Sequence, residues 1–74
     1  MSKKSDIKKR ITESETEIEE LEKKRNRSQS ALLESFLNKT EPDERDVEYF
    51  RIYTQLIEVE RKNLRILREE LDKV

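Results

Sequence analysis

From Phe50 to Val74 the chain repeats at alternating steps of three and four: Phe50, Tyr53, Ile57, Glu60, Leu64, Leu67, Leu71 and Val74. Only Glu60 in this series is charged. A seam of this kind is what two helices need to pack side by side. The rest of the chain gives the repeat little room to be anything else. Glycine is absent and proline occurs once. A β-rich domain would need Asn-Gly, Asp-Gly or similar tight turns, and none can be written here. Long helices are the expected elements.

A second stripe runs beside the first: Tyr49, Ile52, Leu56, Val59, Asn63, Ile66 and Glu70. The remaining positions of this helix are polar. The apolar sector therefore covers roughly 160° of the circumference, wider than one partner helix needs. This helix is expected to touch at least two others.

The first half is sparser. Ile7, Ile11, Ile18 and Leu21 make a thin stripe, with Ser14 in the vacant place. Residues 23–30 are nearly all polar, and Ala31, Leu32, Leu33, Phe36 and Leu37 then form a dense cluster. One helix is expected over residues 5–38, capped by Ser5 or Asp6, with residues 1–4 frayed. Asn38 suits a helix end in place of glycine. Thr40 with Asp43 resembles a capping box, and Pro42 fits the first turn of a helix. Asp43, Glu44 and Asp46 suit the positive end of its dipole. These signals place a turn at 39–42 and a second helix at 43–73. The fold class is all-α: an antiparallel two-helix coiled-coil hairpin.

Charge suggests a register. If the chain doubles back near residue 42, paired residue numbers sum to roughly 84. The acidic stretch Glu13 to Glu22 then faces Lys62, Arg65 and Arg68, and Lys23 to Arg27 faces Glu58 and Glu60. Ile18 meets Leu67, Ile11 meets Val74, and the cluster at 31–37 meets Val47 to Tyr53. Arg25, Glu60 and Asn63 form a polar layer in or beside the seam, with Arg25 paired to Glu60. Such layers fix alignment at a cost in stability.

Composition excludes several functions. Charged residues are 47% of the chain, yet the formal net charge is only −1. Nucleic acid is an unfavoured partner, because the basic runs Lys8-Lys9-Arg10 and Lys23 to Arg27 are flanked by acids. The longest unbroken aliphatic run, Ala31-Leu32-Leu33, is too short for a membrane span, which makes the cytoplasm the expected location. Histidine and cysteine are absent, so zinc sites and thiol or Ser-His catalysis lack their parts. No catalytic, cofactor or metal residue is expected.

A hairpin this small buries little. Dimerisation into a four-helix bundle, or docking on another helical protein, would cover the surplus stripe. The residues expected in the core or interface are Phe36, Tyr49, Phe50, Tyr53, Leu56, Ile57, Val59, Leu64, Ile66 and Leu67.

Two resemblances bear on function. Asp43-Glu44-Arg45-Asp46-Val47-Glu48-Tyr49, followed by Gln55 and Glu60, resembles the N-terminal coiled-coil hairpin of Gre-type transcript cleavage factors, without the Gly and Asn of their tip. That resemblance implies an acidic tip, Asp43, Glu44 and Asp46, acting in the secondary channel of RNA polymerase. In length and in the Asp-containing turn before an aromatic pair, the chain is also similar to helical-hairpin co-chaperones of type III secretion needles. That likeness implies docking on a partner chaperone through an apolar face. The residues themselves favour a non-enzymatic adaptor or chaperone-like module acting through the apolar face of the second helix. A transcription regulator acting through its tip is the alternative.

Overall fold

The computed structural model describes residues 2–74. It contains two helices, α1 (Lys3–Leu37) and α2 (Glu44–Asp72), which pack against each other as an antiparallel hairpin. The rod measures 55 × 16 × 14 Å. Its radius of gyration is 16.8 Å, against about 11 Å for a compact chain of this length. No helix is long and apolar enough to cross a membrane.

Helix α1 starts two residues earlier than Ser5. Ser2 is the cap: its Oγ accepts from the Ser5 N–H at 3.1 Å. Lys3 and Lys4, expected outside the helix, form its first turn; Met1 lies outside the described residues. At the other end Asn38 is the C-cap at φ −86°, and Lys39 takes the left-handed conformation at φ 55°. The Thr40 N–H donates to Ser35 O at 3.0 Å and the Lys39 N–H to Phe36 O at 3.2 Å. These two bonds are the Schellman pattern, which satisfies the last carbonyls of a helix and usually places glycine where Lys39 stands.

The connection is one residue longer at each end than 39–42. Asp43 sits outside α2 as its N-cap, accepting the Arg45 N–H at 2.8 Å, and Lys73 is the C-cap. Pro42 therefore precedes the cap instead of occupying the first helical turn. Thr40 caps nothing; its hydroxyl donates back to Ser35 O at 3.3 Å.

Both helices turn a heptad seam inward. On α2 the expected series turns inward except at its last member: Ile57, Leu64 and Leu67 are buried, Phe50, Tyr53, Glu60 and Leu71 are half-buried, and Val74 is exposed. On α1 the inward series is Ile7, Ile11, Ser14, Ile18, Leu21, Arg25, Ser28, Leu32 and Ser35. Among the described residues only five apolar side chains, Ile7, Leu21, Ile57, Leu64 and Leu67, are buried, and Ile57 alone is fully so. At about 1.5–3 kcal/mol each, they make a small core. Thr54, expected among the outward polar positions, has its hydroxyl buried without a partner among the described residues.

The register differs from the expected one by nearly a heptad. Val74 lines a groove with Lys3 and Ile7, not with Ile11. Leu67 lies with Arg10 and Ser14, not with Ile18. Tyr49 and Tyr53 lie with Lys24 and Ser28, not with the cluster at 31–37. A slide of seven residues leaves every side chain on its original face, so the seam pattern cannot detect it. Side-chain size can. The observed register sets the small, buried Ser28 beside the two tyrosine rings, which stand 6.2 Å apart. It also carries the end of α1 past the start of α2, leaving Leu33, Phe36 and Leu37 exposed.

Replacing Lys39 with glycine removes the left-handed strain at the Schellman position. We expect the change to stabilise the hairpin by about 0.5–1 kcal/mol, read as a higher melting temperature by circular dichroism.

Candidate interaction face and polar layer

The residues proposed from sequence as core or interface separate into two groups. Ile57, Leu64 and Leu67 form the core, with Phe50 and Tyr53 half-covered at its edge. Tyr49, Leu56, Val59 and Ile66 do not enter it. They remain 48, 45, 64 and 53% exposed. The heptad explains why. These four fall on the stripe beside the seam, and a single antiparallel partner covers only the seam itself. Ile52 on the same stripe is half-buried and Asn63 is exposed. The outer face of α2 is thus an apolar strip, interrupted at Asn63, without a covering helix in the single chain.

Phe36 also fails as a core residue. It is 78% exposed and sits with Leu33 and Leu37 on the overhanging end of α1. In the expected register it would have met α2; in the observed one it lies beyond the start of α2. Val47 is exposed near the same tip.

The polar layer exists with different members. Glu60 is not paired to Arg25. Its Oε1 accepts from Ser14 Oγ at 2.7 Å and from Asn63 Nδ2 at 3.3 Å. The heptad slide brings Ser14 to Glu60 and carries Arg25 toward the tyrosine end. Ser14 was legible as an occupant of the seam, but not as the partner of Glu60. Along the opposite edge, Arg61 donates to Glu22 Oε1 at 3.0 Å. That pair is partly exposed, so its contribution is about 0–1 kcal/mol. Lys23 lies 3.8 Å from Glu20 on the outer surface of α1.

The acidic tip is built as a helix start. Asp43 accepts the Arg45 N–H through Oδ1 and the Arg45 guanidinium through Oδ2 at 3.4 Å. The backbone bond from Arg45, then its side chain, holds the Asp43 carboxyl below its usual 3.8; the same pairing raises Arg45. Glu44 and Asp46 occupy the first turn of α2, where the helix dipole favours negative charge. Asp46 lines a groove with Lys24, Arg27 and Tyr49. The three acids therefore do not form one cluster pointing outward. Among the described residues no group of three or more acidic side chains converges on a common point. Further along α2, Glu48 pairs with Arg51, raising the guanidinium pKa.

No family model, no curated protein and no solved structure matches this chain.

Two tests follow from this geometry. Ser14→Ala alone leaves the Glu60 carboxylate short of a charge-assisted bond and should cost about 1–2 kcal/mol. Ser14→Ala combined with Glu60→Leu removes both partners and should melt higher than the single variant, as thermal denaturation would show. The second test is acid titration. Asp43 has a folded value below its unfolded one, so its cap stabilises fully above 3.8 and is lost as pH falls through the lowered value. Asp43→Asn, which keeps a capping side chain, should flatten that segment of the stability–pH curve.

Proposed function

We infer that this chain is a non-enzymatic protein–protein interaction module, a small cytoplasmic adaptor or chaperone-like hairpin that binds helices through the outer face of α2. The supporting observation is the strip Tyr49, Leu56, Val59 and Ile66, each about half exposed or more. The strip lies on a long regular helix, already held in shape by α1. Apolar side chains at heptad spacing form ridges that another helix can interlock with. Covering them would add roughly 25 cal/mol per Å² of apolar surface removed from water, a large gain for a hairpin with so small a core. Aromatic and branched residues such as Tyr49 and Ile66 are suitable anchors for this kind of contact.

The transcription-regulator reading through Asp43, Glu44 and Asp46 draws less support. Asp43 spends both carboxylate oxygens on Arg45, and Asp46 lies beside the basic side chains of α1.

Leu56→Glu and Val59→Glu place a charge on the strip without touching the seam. Each should abolish association, self or with a helical partner, while helicity stays at the wild-type level. Light scattering paired with circular dichroism would report both. Association that survives both substitutions would remove the strip as the interface.

A further inference from the structure

We propose that this hairpin is a two-position rod, whose helices exchange between the register described above and a second one a heptad away, with α2 slid toward the connection. The exchange lies in the seam inside one chain and does not depend on what the strip binds.

The present register is regular along the rod. Ser14 sits between Glu60 and Leu67, and Ser28 between Asp46 and Tyr53. Leu64 and Phe50 therefore lie level with these two serines, and the other seam residues follow by heptads. Ile7 and Ile11 come level with Leu71 and Leu67, and Leu21 with Ile57. These are the apolar layers. Ile18 comes level with Glu60, Arg25 with Tyr53 and Leu32 with Asp46. Neither Arg25 nor Glu60 faces an opposite charge.

The second register gives several of these residues better neighbours. Moving α2 one heptad toward the connection brings Ile11 and Ile18 level with Val74 and Leu67, and Leu21 and Leu32 level with Leu64 and Tyr53. Arg25 then comes level with Glu60, so the two seam charges meet. The edge pairing also carries over. Glu22 leaves Arg61, now 3.0 Å away, and gains Arg68 one heptad further on. Three things are lost: the 2.7 Å bond from Ser14 to Glu60, the cover of Ile7 by Leu71, and the place of Ser28 beside the tyrosines. Ser14 is thus the latch of the present register, and the Arg25–Glu60 pair is the latch of the other.

The connection serves both. Leu37 now stands about three residues, or roughly 4–5 Å, beyond the level of Glu44. After the slide Glu44 stands about four residues, or roughly 6 Å, beyond the level of Leu37. Residues 38–43 bridge either offset, because a connection of this length reaches ~20 Å when extended. Each helix is continuous, so an offset fixed at the connection is fixed equally at the other end of the 55 Å rod, where Lys3 and Val74 share a groove. A partner that grips either end in one offset biases the whole seam.

The test is a distance within one molecule. The chain has no cysteine, so Asn26→Cys with Arg65→Cys gives two unique sites for spin labels. Both positions are exposed, on the side of the rod where Arg61 meets Glu22. The slide shortens their axial separation from roughly 20 Å to roughly 10 Å. With labelled chains diluted into unlabelled ones, pulsed dipolar spectroscopy should show both distances, the longer in excess. Ser14→Ala should raise the shorter relative to the longer about tenfold, because a charge-assisted bond is lost from one register only. Arg25→Ile and Glu60→Leu should each erase the shorter distance, since each improves the present seam and strands a charge in the other. Arg25→Glu combined with Glu60→Arg should restore it. A single long distance in both the parent and the Ser14→Ala chain would overturn the second register. A short distance that persists in both Arg25→Ile and Glu60→Leu would overturn the Arg25–Glu60 pair as its latch.

Discussion

The hairpin depends on one constraint, the fit of small side chains on α1 against large ones on α2. Seam positions repeat every seven residues, and hydrophobicity alone treats all heptad-shifted alignments as equal. What separates them here is volume and hydrogen bonding. Ser28 sits beside Tyr49 and Tyr53, its small side chain buried against α2. Ser14 reaches the Glu60 carboxylate, which would otherwise enter the seam with one partner fewer. Two serines thus choose the alignment that the aliphatic residues merely permit. The choice also leaves Leu33, Phe36 and Leu37 beyond the reach of α2.

Much of this was legible in the residues. The absence of glycine, the three–four spacing from Phe50 onward and the signals around Pro42 together foretold two long helices and a short connection. The α2 seam and the uncovered stripe at its side were readable for the same reason: a helix converts spacing into direction. The α1 seam was harder. Arg25 and Ser28 are inward positions hidden in the polar run from Lys23 to Ser30, because the seam needs a small or flexible residue there more than an apolar one.

Register was the real loss. Charge favoured an alignment in which Arg25 met Glu60, but exposed ion pairs contribute too little to outweigh packing. The helix ends were misplaced for a related reason. Several residues near each boundary could cap, and the competition is settled by backbone geometry that composition does not encode. Lys39 in the left-handed conformation is the clearest case, since Asn38 beside it has the better intrinsic preference.

The placement of the chain ends has a mechanical consequence. Lys3 and Val74 line one groove, so both ends leave the rod together, while the connection sits at the far end of its 55 Å length. Tension applied between the ends would load the layers in sequence, Ile7 and its neighbours first and the tyrosines near the connection last. The hairpin should therefore peel open like a zip under small forces, whereas pulling lengthwise on one end and the tip would have to shear every layer at once.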